Sequence, residues 1–341
     1  MKVIQAKSAG FCYGVQRAVE LAEQTARERG GCVMLGSIIH NAHVVQHLEQ
    51  LGAHQVAGPE EIRPGDTVLI RAHGEKKQVI GHLKDIGAEC VDATCPNVLR
   101  VQQIVAQADA EGRVPIIIGD PNHPEVMGVA SWSARSVVFE GAETLQRWLD
   151  EDPARRELPL TAVAQTTCIR IIWDGAAEIL KKQCTNAKIF DTICNATHKR
   201  QSEAAELASQ VDVMVVVGDR KSANTKHLTE ICSRQCPAVY QIERAEELKR
   251  DFLTGCSVAG LTAGASTPAG IIKEVYTTMS EEIKTMEPTE ESFEEMLEKS
   301  FKTLNTGEKV TGIVTAVGPN RGSGGSGLQA GGLYFRRRAV R

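Results

Sequence analysis

Residues 89–101 read ECVDATCPNVLRV, and the plan of most of the chain is contained in them. A short apolar strand (Glu89–Asp92) runs into a loop holding Cys95, and an amphipathic stretch of helical length follows. The same unit recurs in both directions. Strand candidates lie at Val3–Ala6, Cys32–Gly36, Thr67–Arg71, Pro115–Gly119, Leu160–Ala164, Lys188–Asp191, Asp212–Gly218 and Val258–Leu261. Nearly every one is followed by a polar cluster; in order these hold Cys12, His40, His73, Cys95, His123, Thr166, Cys194, Asn224 and Ser266. Strands alternating with helices predict parallel α/β architecture. Such sheets bind ligands outside the carboxyl ends of their strands, so these loops are expected to face one crevice.

The wider composition sets limits. With 341 residues and 42% hydrophobic content the chain can bury a core larger than one ordinary domain, which predicts two or three domains. A formal net charge of −4 gives no strong field for nucleic acid or membrane. Only 4% of residues are aromatic, which argues against a stacking surface for single strands. Polar Gln5, Lys7 and Ser8 interrupt the amino terminus, unlike a signal peptide. No stretch approaches the roughly 20 apolar residues of a membrane span, so a cytoplasmic protein is expected. Acidic residues crowd positions 281–298, and a strand-like segment with Val310, Ile313, Val314 and Val317 comes next. The glycine-rich stretch after Arg321 and the basic end are expected to be disordered.

Ten cysteines are many for a chain that keeps no disulfides in the cytosol. Cys32, Cys90, Cys184 and Cys256 read as small core residues. Cys12, Cys95 and Cys194 differ, because each sits in a strand-end loop of a separate α/β block. Their spacing leaves three readings open: unligated thiols, a zinc site with an open position, or an iron-sulfur cluster. Three thiolates on a four-iron cluster leave one iron with an open site, able to act as a Lewis acid. His40, His73 and His123 also follow apolar strands directly, and with Thr166, Thr167, Ser222, Asn224 and Ser266 they form a set of hydrogen-bonding groups suited to a diphosphate. Arg220, Lys221 and Lys226 read as a solvated basic loop. No G-x-x-x-x-G-K-[ST] pattern is present, and G-x-G-x-x-G occurs only as GSGGSG (322–327) in the glycine-rich tail, not between a strand candidate and a helix, which argues against nucleotide hydrolysis and against an own dinucleotide. Glu125, two residues after His123, reads either as a partner of a helix dipole or as a proton donor.

In their order along the chain, GFCYGVQRAV, IIHNAHVV, AHG, DATCP, NHPEV, QTT, CNAT, KSAN and TAGAS give residues 1–281 a close resemblance to the 4-hydroxy-3-methylbut-2-enyl diphosphate reductase family, also called IspH or LytB. The resemblance implies three small parallel-sheet α/β lobes in pseudo-threefold arrangement around one 4Fe-4S cluster. The lobes are expected at 1–95, 96–193 and 194–283, followed by an acidic linker (284–305) and by an incomplete OB-like strand with a disordered tail (306–341). By the same resemblance Cys12, Cys95 and Cys194 are the cluster ligands. His40, His73, His123, Thr166, Thr167, Ser222, Asn224 and Ser266 form the substrate pocket, and Glu125 is the acid. A ferredoxin or flavodoxin is the implied electron donor for reductive dehydroxylation of a small diphosphate. Two features depart from the pattern: Ala223 stands where the family commonly has a second serine, and Cys168 with the apolar Ile169–Trp173 follows Gln-Thr-Thr. The contrasting expectations are a zinc-dependent hydrolase of a phosphorylated substrate and an RNA-binding protein that acts through its carboxyl-terminal tail.

Overall fold

The computed structural model describes residues 2–39, 41–286, 313–317, 322–325 and 333–334. The chain begins with β1 (Lys2–Gln5), α1 (Tyr13–Arg29), β2 (Cys32–Leu35), α2 (Ala42–Gln50), β3 (Ala53–Val56), β4 (Thr67–Ile70), α3 (Lys77–Asp85) and β5 (Glu89–Asp92). It continues through α4 (Pro96–Ala110), β6 (Val114–Ile118), α5 (Pro124–Ala130), β7 (Val137–Phe139), α6 (Ala142–Glu151), β8 (Leu160–Ala164), α7 (Arg170–Gln183) and β9 (Ala187–Ile189). Then come α8 (Asn195–Ala208), β10 (Val213–Val217), α9 (Ala223–Ser233), β11 (Val239–Ile242), β12 (Val258–Ala263) and α10 (Ala269–Met286).

These strands form three four-stranded sheets, ordered β3-β2-β4-β5, β7-β6-β8-β9 and β1-β12-β10-β11, with every pairing parallel. Central strands such as β10 (VMVVV) and β8 (LTAVA) are buried along their whole length, as strands covered on both faces must be. A fully buried Val, Leu or Ile side chain contributes about 1.5–3 kcal/mol by leaving water. Each sheet therefore rests on its two middle strands.

Within each lobe the second strand in sequence is one edge, the first and third are central, and the fourth is the other edge. The third sheet keeps this order only because β1, from the amino terminus, supplies its fourth strand. The division at 1–95, 96–193 and 194–283 therefore needs correction at its start, since β1 pairs with β12 and not with the strands of the first lobe. The helix that follows each fourth strand packs on the next lobe. Ala18, Val19, Ala22 and Ala26 of α1 join the core of Met34 and Leu69. Val98, Val101 and Val105 of α4 join that of Ile117 and Val163. Ala204, Leu207 and Ala208 of α8 join that of Met214 and Val216. The chain thus crosses between lobes three times, and Cys12, Cys95 and Cys194 stand at the crossings.

Contacts divide the chain into Met1–Ile283 and Lys284–Arg341. The second unit holds an antiparallel sheet, β13 (Ile313–Val317), β14 (Gly322–Gly325) and β15 (Leu333–Tyr334), in that order. The expected disorder after Arg321 is corrected at β14 and β15. Antiparallel pairing uses backbone N–H and C=O groups, which glycine supplies as well as any residue. Gly327, Gly331 and Gly332 lie outside the described residues, as does the acidic stretch from residue 287 onward.

Candidate active site

Each of the three crossing cysteines is the residue that opens a helix. Cys12 is the N-cap of α1, Cys95 of α4 and Cys194 of α8. Their backbone amides are held alike: Cys12 N–H donates to Ala265 O (3.3 Å), Cys95 N–H to Ala72 O (2.9 Å) and Cys194 N–H to Thr166 O (3.1 Å). The three acceptors stand in the loops after β12, β4 and β8, the third strands of their lobes. Each immediately precedes a residue expected in the pocket, namely Ser266, His73 and Thr167. One local geometry, made three times, ties a thiol to a hydrogen-bonding side chain.

All three thiols line one cavity of about 130 Å³. Its wall also carries His73, His123, Glu125, Thr166, Thr167, Ser222, Asn224 and Ser266, together with the apolar Val15, Ile39, Ala72 and Val98. His40 lies outside the described residues; its neighbour Asn41 caps α2 by accepting from Val44 N–H at 3.1 Å. The polar residues come from loops after the first and third strands of each lobe, where strand order reverses and parallel sheets open a crevice.

Burial pushes the Cys95 thiol up, partly countered by the amides of Asn97 and Val98 at the start of α4. Cys194 is also pushed up by burial; the hydroxyl and amide of Thr197 act against this, at 3.0 and 3.3 Å from its sulfur. Thiols so placed need a positive centre to stay ionised. Gly14 leaves room for one of them, since a Cβ there would lie 2.5 Å from Cys95 Sγ. Gly14→Ala is expected to fold but to turn the Cys95 thiol out of the cavity. Iron and sulfide bound after anaerobic reconstitution should fall well below wild type, and wild-type values would show that the thiol has room to move.

Glu125, 2% exposed, is held at both oxygens by Thr166: the amide donates to Oε1 at 2.6 Å and the hydroxyl to Oε2 at 2.8 Å. Burial raises its pKa above the usual carboxylate range, and the two Thr166 bonds only partly offset this. His123 caps α5, its Nδ1 accepting from Glu125 N–H at 3.1 Å. A neutral ring in that bond carries its proton on Nε2. The His73 and His123 rings meet edge to face at 5.4 Å. Ser222 caps α9, with Oγ accepting from Thr225 N–H at 3.4 Å. Thr167 Oγ1, Asn224 Nδ2 and Ser266 Oγ are buried with no protein partner, which is costly for a polar atom and suits a cavity that receives a polar ligand.

Sequence reasoning missed Thr197 and Arg200, both on this cavity wall. Thr197, three residues after Cys194, is within one helical turn of it, whereas Arg200, six residues after it, carried no local signal. Cys168 and Trp173 prove to be core residues, with burial pushing the Cys168 thiol up to about 12. The apolar stretch thus starts an ordinary helix, α7.

Fold and site together define a three-lobed α/β protein whose central cavity is walled by thiols at three helix starts, a buried carboxyl group and unpartnered hydrogen-bond donors. The chain belongs to the LytB protein family, which it matches over residues 3–280. It is 39% identical over 297 residues to the 4-hydroxy-3-methylbut-2-enyl diphosphate reductase of Caldanaerobacter subterraneus subsp. tengcongensis, covering 86% of this chain and 100% of that one. It is 40% identical to the reductase of the same name from Clostridium perfringens strain SM101, covering 82% and 98%. Among solved structures, one (E)-4-hydroxy-3-methyl-but-2-enyl diphosphate reductase, described as the terminal enzyme of the non-mevalonate pathway, aligns with a TM-score of 0.60 at 38% identity and covers 82% of this chain and 100% of that one. The E-1-hydroxy-2-methyl-but-2-enyl-4-diphosphate reductase from Plasmodium falciparum aligns with a TM-score of 0.77 at 26% identity, covering 81% and 87%. The family match ends at residue 280, and the expected likeness of the tail to an OB-fold module finds no support.

Proposed function

We propose that this oxidoreductase converts 4-hydroxy-3-methylbut-2-enyl diphosphate to isopentenyl and dimethylallyl diphosphates, the last step of the non-mevalonate route. The observation that carries the reading is the meeting, in one cavity, of three thiols from three lobes with a buried carboxyl group and unpartnered donors. The allylic alcohol takes up two electrons and two protons, its C–O bond breaks, and water leaves.

One 4Fe-4S cluster fits the thiols. Cys12, Cys95 and Cys194 would hold it, each at a helix start whose dipole favours negative charge. Among the described residues no group of three His, Cys, Asp or Glu side chains could share a single metal ion. A cluster, which spreads its thiolates over different irons, suits them better than zinc. When bound, it supplies electrons and, with three thiolates for four irons, an open Lewis-acid position.

The chain's own residues do the rest. Thr167, Asn224 and Ser266 donate to the diphosphate, joined by the unpaired amides at the start of α9. Ala223 offers no hydroxyl there, so its backbone N–H takes that place. His73, His123 and His40 complete the pocket, with His123 donating from Nε2. Glu125, whose pKa burial raises, hands a proton toward the leaving hydroxyl, directly or through the Thr166 hydroxyl that it bonds. Holding the diphosphate at one end orients the reacting carbon at the other.

No G-x-G-x-x-G stands between a strand and a helix of the three lobes, which supports a ferredoxin or flavodoxin as donor. No helix among the described residues is long and apolar enough to cross a membrane, in keeping with a cytoplasmic setting. Anaerobic reconstitution with iron and sulfide, then turnover with a chemical reductant, tests the reading. Iron and sulfide in near equal amounts with dehydroxylation are expected, whereas activity with zinc alone would overturn it. The protein cut after Met286 should remain active, against an RNA-binding tail as the working part.

A further inference from the structure

Arg200 is 3% exposed, lines the cavity beside Cys12 and Cys194, and forms no ion pair among the described residues. Its Nε donates to Ser8 O at 3.0 Å and its Nη2 to Gly10 O at 2.7 Å. Its Nη1 is buried with no protein partner. One turn further along α8, Glu203 accepts from the amides of Lys7 (2.6 Å) and Ser8 (2.8 Å). The helix that begins at Cys194 thus grips, at both carbonyls and amides, the loop that leads to Cys12.

A guanidinium does not give up its proton in a protein, and a buried charge without a counter-charge is very costly. Arg200 must therefore be balanced by something in the cavity. Cys12 and Cys194 line the same cavity, and as ligands they would bring negative charge beside Arg200; Glu203, held by the Lys7 and Ser8 amides, lies on the far side of the loop bonds. Two of its three nitrogens hold the Cys12 loop, and the third is left for whatever the thiolates bind.

We propose that Arg200 is a positioning residue with two roles: it locks the Cys12 loop to the Cys194 helix, and its positive charge favours the reduced, more anionic state of the group that these thiolates hold. This rests on Cys12, Cys95 and Cys194 being the ligands of an iron-sulfur cluster. The two roles separate by substitution. Lysine keeps the charge but not the planar fork; glutamine loses the charge.

Wild type, Arg200→Lys and Arg200→Gln are reconstituted anaerobically, assayed for iron and sulfide, melted, and titrated potentiometrically through the visible absorbance. Arg200→Gln is expected to be about tenfold less reduced at a fixed ambient potential, which for one electron is about 59 mV. Arg200→Lys should titrate close to wild type, yet both variants should release iron to a chelator severalfold faster. A purely structural arginine would speed release in both and leave the potential unmoved, which overturns the charge role. Release at the wild-type rate overturns the lock. If the glutamine protein does not fold, the lysine protein decides: a wild-type potential with faster release supports the proposal, and a tenfold shift refutes it. Wild type that binds no iron would sink the ligand assignment itself, and this is read before any variant is compared.

Discussion

Cys95→Ser is expected to give a folded protein that binds no cluster, with dehydroxylation lost beyond detection. The thiol makes no side-chain capping bond to α4, so its fold role is slight. Serine is a favoured N-cap, and its hydroxyl would stabilise the start of the helix by about 1 kcal/mol. The metal-free variant should melt at or slightly above the metal-free wild type. Iron binding goes the other way, because a serine hydroxyl stays protonated where a thiol held by a cation ionises, and only two thiolates remain. Cys12→Ser and Cys194→Ser should behave alike. Cys32→Ser is the contrast: this thiol is buried in β2, with its pKa pushed up to about 11 by that burial, and does not line the cavity. A buried hydroxyl without a partner there should cost about 1–3 kcal/mol and leave iron content unchanged. Loss of stability without loss of iron at Cys32, and loss of iron without loss of stability at Cys95, together separate core from ligand. Full iron, sulfide and activity in Cys95→Ser would remove it from the ligand set.

These contrasts also show what the sequence made legible. Central strands such as β6 (VPIII) and β10 (VMVVV) are continuous apolar runs, because parallel sheets covered on both faces demand it. They could be read directly. In the three parallel sheets the strands missed were β3, β7 and β11, the second-strand edge of each. In β3 (AHQV) only the outer two residues are buried, so the segment carries neither a continuous run nor strict alternation. The place of β1 in the third sheet could not be read either. Its neighbour β12 is separated from it by most of the chain, and pairing at that range leaves no local trace. The site was more legible than the topology, since cysteine, histidine and small hydroxyl residues at strand ends are conspicuous where apolar residues are the rule. Arg200 and Thr197 escaped for the opposite reason: polar residues within helices usually face water, and only tertiary contact shows that these turn inward.

Glu125→Gln is expected to bind substrate and cluster as wild type does while kcat falls by about 10²-fold to 10⁴-fold, the usual worth of a general acid. Glutamine can keep the Thr166 N–H bond at Oε1, and the Thr166 hydroxyl can turn to accept from the new amide, so the pocket keeps its shape. Only the transferable proton is lost, and KM should barely move. Stability supplies an independent check with a defined sign. Burial raises the pKa of Glu125 in the native state above its unfolded value, so the native state binds the proton more tightly. The stability contributed by the acid is complete below the unfolded pKa and declines as pH climbs from there through the raised native value. Glutamine has no such decline. The melting temperature of Glu125→Gln relative to wild type should therefore rise from acid to neutral pH. A carboxylate that merely complements the dipole of α5 predicts the reverse: at neutral pH its removal should cost roughly 0.3–1 kcal/mol and leave kcat alone. A variant of full activity and lower neutral-pH stability would make Glu125 a helix-start residue and move the search for the acid to His123. Slow turnover with a relative stability that grows with pH ties the proton to Glu125, the cavity-wall carboxyl group whose pKa burial raises.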